Sequence, residues 1–362
     1  RRFLMRLSTS PTSPSKVLLK HVGNLGDHLF LVGALLEGLA RVWPDAEVTL
    51  VAAWGYKDRR GRFGKRNQGG YCIALMKENP HVDHLIHWSD RDVSLDGRIC
   101  VEEGTSYPTW NRAAFEARRH EYDIAVELEF GLNTEEQPLE RLASAVGLHD
   151  VQISAYSFYG TRRDWEIGKA VAAEFPRPRV ALLEHLDGSS MRSWDPDKVE
   201  QLEERFLTEL GIRPIWWGAD FMPLYRGRPL TLRENIAFLG HCDLAIGVLG
   251  APLHFAAAAG VQTICLYGAQ PLGRAAPARF LNPAMPDPAR HHVTIFGPTC
   301  DEPCLLKREI PCKNLTGEDR ARTGFRSWQK PGRQRDKSCV AVIPVETVFA
   351  AAKHALERRG LR

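Results

Sequence analysis

Residues 16–27 read Lys16-Val17-Leu18-Leu19-Lys20-His21-Val22-Gly23-Asn24-Leu25-Gly26-Asp27, and the residues that follow fix how this stretch folds. The run at 16–20 reads as a short buried strand, and Gly23 to Asp27 is a glycine-bearing turn. Leu29, Val32, Leu35, Leu36, Leu39 and Val42 then recur at helical spacing and stop before Pro44. Residues 47–52 form a second apolar run. Strand, glycine turn, helix and strand make a βαβ unit, which forces the two strands to be parallel.

Outward from this unit the pattern continues. Strands are expected at 82–88 and 124–128 and a helix at 137–145. A second set starts near Arg179, with strands at 180–184, 213–217, 244–248 and 263–267 and helices at 197–210, 232–239 and 253–259. The stretch 166–178 reads as a linker. The chain therefore divides into a Rossmann-like unit over 1–165 and a second over 166–345. The second carries a cysteine-rich basic insert at 300–339, and a helix at 346–362 closes the chain. The expected fold class is α/β, two parallel-sheet domains facing a cleft.

Composition excludes several classes. The chain has 362 residues, 44% hydrophobic and 25% charged, enough apolar mass for large cores and too much for a disordered or collagenous chain. Net charge is only +4, and residues 300–339 alone hold ten Lys/Arg against six Asp/Glu, so a nucleic-acid partner is not expected. The 30 residues between Asp243 and Arg274 carry no Asp, Glu, Lys or Arg. Gly247, Gly250, Pro252, His254, Gly260 and Gln262 interrupt them, which fits strand, turn, helix, turn and strand better than a membrane span. Arg1 to Arg6 lack the apolar run of a signal peptide. A cytoplasmic protein is the expectation.

Two turns carry candidate chemistry. Gly23 to Asp27 lies at the carboxyl end of a parallel strand, where α/β proteins bind ligands, and Asp27 starts a helix there. Helix capping is the competing role for Asp27. Gly247-Val248-Leu249-Gly250-Ala251-Pro252-Leu253-His254 leads from a strand through small residues into an alanine-rich helix. Small residues and exposed helix-start amides suit a diphosphate, and His254 could donate to phosphate or ribose. A packed structural histidine is the commoner case.

Taken together, these turns resemble those of glycosyltransferase family 9, the ADP-heptose:lipopolysaccharide heptosyltransferases. Gly23 to Asp27 matches the family's Gly-x-x-Gly-Asp turn, and Ala251, Pro252, His254, the alanine-rich helix and Gly260-Val261 match its donor loop. Asn79 to Asp83, Tyr122 to Val126, Ser190 to Trp194, Leu230 to Asn235 and Cys339 to Val348 follow in family order, so the likeness covers about residues 16–360. The resemblance implies a GT-B fold and an inverting sugar transfer without a catalytic cofactor. Asp27 would be the general base. Arg192, Gly250, Ala251, His254, Lys20 and Asp220 would hold a nucleotide-diphosphate sugar, with ADP-heptose as the implied donor. The implied acceptor is a bacterial lipopolysaccharide core, with peripheral contact at the inner face of the inner membrane. Leu249 and Gly250 depart from the family's acidic or amide residue and Ser/Thr, so another sugar, a protein or small-molecule acceptor, or an inactive nucleotide-sugar-binding relative stay open.

Lys57 to Arg66 places six bases and one acid in ten residues. Arg59, Arg60 and Arg62 would bind an anionic glycan, glycolipid or protein acceptor; a solvated loop is the alternative. Asp90-Arg91-Asp92 and Asp195-Pro196-Asp197 are not read as metal motifs, the second being a helix start with Asp195 as cap. Of eight cysteines, Cys72, Cys100, Cys242 and Cys265 stand singly, and the last two lie in apolar runs as buried thiols. Cys300, Cys304, Cys312 and Cys339 crowd the basic insert. Four soft ligands could hold a structural zinc or iron, an arrangement similar to the cysteine-rich segment of family members that hold iron. Thiols or a labile disulfide are the alternatives.

Overall fold

The computed structural model describes residues 13–23, 25–54, 71–89, 98–100, 106–128, 138–148, 157–183, 194–217, 223–268, 292–297, 340 and 342–361. Strand β1 (Lys16–Gly23) is followed by a short helix α1 (Leu25–Asp27), a π-helical turn (His28–Gly33) and α2 (Ala34–Val42), so the expected single helix is three segments of one continuous run. β2 (Glu47–Trp54), α3 (Tyr71–Met76), β3 (His84–Trp88), β4 (Arg98–Cys100), β5 (Ser106–Trp110), α4 (Arg112–Arg118), β6 (Ile124–Glu127) and α5 (Pro138–Ala145) complete the first unit. Its sheet runs β4-β5-β3-β2-β1-β6, parallel except for β4 at the edge. β1 is buried on both faces, as a central parallel strand must be.

The second unit opens with α6 (Arg162–Ala172), which overturns the reading of 166–178 as a linker. Thr161 and Asp164 cap this helix reciprocally, and Ile167 and Val171 bury one face of it. Then come β7 (Val180–Leu183), α7 (Pro196–Leu210), β8 (Ile215–Trp217), the hairpin β9 (Leu224–Tyr225) and β10 (Arg228–Pro229), α8 (Leu232–Leu239), β11 (Leu244–Val248), α9 (Ala251–Ala258), β12 (Thr263–Tyr267), β13 (Val293–Phe296) and α10 (Val345–Arg358). The parallel sheet runs β13-β12-β11-β7-β8. Asp195 caps α7 as expected, its side chain accepting from the Asp197 amide. The charge-free stretch after Asp243 is indeed β11, α9 and β12. Among the described residues no helix is long and apolar enough to cross a membrane.

Each sheet has one switch point, where the chain changes its direction of growth. In the first it lies between β1 and β6, in the second between β7 and β11. One apolar cluster joins the facing sides of both sheets, from Val17, Leu19 and Leu36 to Leu253, Ala256 and Cys265. The outer side of the first sheet has its own cluster around Leu18, Val51, Trp88 and Phe115. Helices α7 and α10 cover the outer side of the second.

Candidate active site

Asp27 ends α1 just past the carboxyl end of β1 and is half-buried. Its backbone is already helical (φ −61°, ψ −35°) and its carboxylate makes no cap bond to the π-helical turn that follows. Beneath it, the glycine at position 23 leaves room for two polar atoms. A Cβ built there would stand 3.2 Å from Asp27 Oδ2 and 2.4 Å from His21 Nε2.

His21 is buried, and its Nδ1 lies 3.0 Å from the Leu128 carbonyl. A carbonyl only accepts, so Nδ1 carries the proton and Nε2 presents a lone pair. His28 meets the His21 ring edge-on at 4.7 Å between centroids, and Cys72 Sγ is 3.6 Å from His28 Nδ1. Burial pushes His21 below the ordinary histidine value while the Asp27 charge opposes that shift. Burial, helped by the same charge, pushes the Cys72 thiol well above its usual range.

The second glycine turn meets the first directly. A Cβ on Gly26 would lie 3.2 Å from His254 Cδ2 and 3.4 Å from Ala251 Cα, so a residue without a side chain is what permits this approach. Gly250 precedes α9 in extended geometry. Pro252 has no N–H and the His254 amide bonds the Gly250 carbonyl at 3.2 Å, so Ala251 and Leu253 carry the amides at this helix start. His254 is buried and stacks on Phe30, with centroids 4.4 Å apart. Burial, and secondarily the charge of His292, pushes His254 down to about 3, so it is a neutral ring and not a cation for a phosphate.

Lys20 does not join this group. Strand alternation puts it on the outer face with Leu18, opposite His21, and its ammonium is 2.7 Å from Glu127 and 3.6 Å from the Trp88 ring centroid. The expected role of Lys20 in binding donor phosphate is corrected accordingly: the sheet stands between it and the α9 start. Arg192, Asp220, Arg59, Arg60, Arg62, Cys300, Cys304, Cys312 and Cys339 lie outside the described residues. Cys72, Cys242 and Cys265 are buried thiols.

Sequence reasoning missed His21, Phe30 and Arg233. Arg233, 2% exposed on α8, bonds Asp164 at 3.0 Å and the carbonyls of Ala74 and Tyr159 at 2.8 Å, tying the second unit to the end of α3 in the first. For His21 a signal existed: a histidine inside a buried strand, just before a glycine turn, has to find polar partners there.

No family model matches the chain, and no curated protein matches it significantly. Solved structures do. A family 9 glycosyl transferase from Veillonella parvula aligns over 95% of this chain and 98% of its own, at 13% identity and TM-score 0.57. The E. coli ADP-heptose lipopolysaccharide heptosyltransferase II aligns over 95% and 99%, at 12% identity and TM-score 0.55. The fold is that of family 9 glycosyltransferases. The iron-containing dodecameric glycosyltransferase TibC from enterotoxigenic E. coli shares it over 97% of this chain and 77% of its own, at 13% identity and TM-score 0.50. The family 9 fold is of the two-sheet GT-B type, in agreement with the fold expected from the sequence.

Proposed function

We propose that this protein is an inverting glycosyltransferase that moves a sugar from a nucleoside diphosphate to a hydroxyl acceptor. The observation that carries this reading is the contact of Gly26 with Ala251 and His254. It brings the turn that carries Asp27 at one switch point against a small-residue helix start at the other. The helix start offers amides and a positive dipole end to a diphosphate. Asp27 offers a base to the acceptor.

In the reaction the acceptor oxygen attacks the anomeric carbon while Asp27 takes its proton. The bond from the anomeric carbon to the diphosphate oxygen breaks, and its electron pair leaves with the diphosphate. Charge therefore grows on the leaving group, where the amides of Ala251 and Leu253 and the guanidinium of Arg192 stabilise it. Asp220 is the proposed partner of the ribose hydroxyls. Arg59, Arg60 and Arg62 are proposed to hold an anionic acceptor.

ADP-heptose is the donor and a lipopolysaccharide core the acceptor that the family resemblance favours, and both TibC and the E. coli heptosyltransferase II support a nucleotide-sugar donor by their fold. Cys300, Cys304, Cys312 and Cys339 are proposed to bind one structural iron or zinc, remote from the transfer chemistry. Elemental analysis of untreated, reduced protein decides between that and plain thiols. The test of the activity is native mass spectrometry with a panel of nucleotide sugars, scoring bound donor and slow hydrolysis to nucleoside diphosphate. ADP-heptose retained and hydrolysed above the others is the expected result, and retention of no nucleotide sugar contradicts the reading.

A further inference from the structure

Resting on the reading of Asp27 as the base, we propose that His21 is its positioning residue: the His21 Nε2 lone pair receives the hydrogen bond of the Asp27 carboxyl group once that group has taken the acceptor's proton. Three observations on the first sheet's switch point lead here. The Leu128 carbonyl, just past β6, fixes the His21 proton on Nδ1, so the other ring nitrogen is an acceptor by elimination. That Nε2 is buried and has no hydrogen-bond partner among the described residues, a costly state for a group with a fixed lone pair. And it flanks the same bare face of Gly23 as Asp27 Oδ2, the two lying 2.4 Å and 3.2 Å from one point in space.

Before transfer, the ionised carboxylate and Nε2 are both acceptors, so neither can donate to the other. The acceptor's hydroxyl supplies the missing proton. Its O–H bond breaks as its oxygen bonds the anomeric carbon, and a new O–H bond forms on Asp27. The carboxylic acid so formed is a donor, and Nε2 is an acceptor on the same side of Gly23. A hydrogen bond to the protonated form makes the carboxylate a stronger base at the moment it acts. His21 itself touches no substrate, because it is 1% exposed behind Asp27.

The surroundings are compatible with a neutral ring. The groups facing His21 are Asp27 from α1, His28 from the π-helical turn and, beyond His28, the Cys72 thiol from α3. Lys20 and Glu127 pair on the opposite face of the sheet. Gly23 is part of the device, since a side chain there would occupy the space between the two groups.

Two measurements test this. In the first, His21→Ala lowers kcat about tenfold, the scale of one charge-assisted hydrogen bond, while donor KM holds. The acidic limb of its kcat–pH profile moves to lower pH, because the carboxylate becomes a weaker base. His21→Gln, whose amide oxygen can accept in place of Nε2 while its NH₂ reaches Leu128, restores most of the rate. Equal loss in both variants, or an unmoved acidic limb, overturns the proposal. The second measurement needs no activity: ¹⁵N NMR of histidine-labelled protein, wild type against Asp27→Asn. It should find His21 protonated on Nδ1 in both, with a protonation constant lowered about threefold or more when the carboxylate is removed. An Nε2-protonated ring, or an unchanged constant, overturns the pairing. If no nucleotide sugar is ever used, the NMR result still decides the pairing, and only the transferase reading is lost.

Discussion

Phe30 and His254 lie face to face across the two units, their ring centroids 4.4 Å apart and their planes 14° from parallel. Phe30 belongs to the π-helical turn after Asp27 and His254 to the first turn of α9. This stack and the Gly26 contact beside it make the base turn and the helix start into one packed surface. A change in either is therefore expected to be felt by both.

Gly26→Ala tests that surface. The added methyl would stand 3.2 Å from the His254 ring and 3.4 Å from the Ala251 α-carbon, both held by packing. Forcing them apart costs about 1–3 kcal/mol, as overpacking in a filled core does. Urea denaturation of the variant should show that loss, together with weaker donor binding. A variant as stable as wild type would mean that the two turns do not touch.

Asp27→Asn removes the proposed base while keeping the size of the side chain and the uncapped π-helical turn after it. The expected loss in kcat is roughly 10²–10⁴-fold, with donor affinity nearly unchanged. Turnover at the wild-type rate would take the role of base away from Asp27.

Arg233 is the buried cation that ties the units together. Arg233→Met leaves Asp164 buried without its charge partner and frees the Ala74 and Tyr159 carbonyls, at a cost of about 3–5 kcal/mol. Thermal unfolding should fall steeply, and donor binding with it, while an exposed control such as Arg162→Met on α6 changes little. A small loss would show that the guanidinium does not bear on how the units are joined.

Acid should destabilise the fold before the carboxylates titrate. Burial holds His87 down at about 4 and, with the His292 charge, His254 at about 3. Both are neutral in the fold and take up protons on unfolding below their ordinary value of about 6.5. Stability is thus fully present above about pH 6.5 and falls as pH drops toward 4, by about 1.4 kcal/mol per pH unit for each histidine. Urea midpoints at pH 7.5, 6 and 5 measure this directly. Midpoints that stay level down to pH 5 would place these rings in contact with solvent.

Neutralising Arg59, Arg60 and Arg62 together should raise acceptor KM and leave donor affinity unchanged. The effect is largest at low ionic strength, where charges act over roughly 30 Å at 0.01 M salt. Unaltered acceptor kinetics under those conditions would return this segment to the role of a solvated loop.

What the sequence determined on its own is the arrangement of parallel strands and the two turns that end them. Residues 16–20 and 47–52, joined by a helical repeat, admit only a parallel pair, and the charge-free run after Asp243 resolves into β11, α9 and β12 through its own glycines and proline. The place of Asp27 was legible as a candidate because a carboxylate in a strand-to-helix turn of an α/β protein stands where such proteins bind ligands. The segments 71–76 and 162–172 were not legible as helices, being short or polar runs whose helicity rests on a reciprocal cap and on the surfaces they pack against. Nor could Lys20 and His21 be told apart: both are polar residues in one strand, and a period of two says that they face opposite ways but not which way the cleft lies. Only the packing of the second sheet against the first decided that. It put Lys20 on Glu127 behind the sheet, set His21 beneath Asp27, and pressed Gly26 onto His254, because a contact between residues more than two hundred positions apart is fixed by which surfaces bury one another and not by any local pattern.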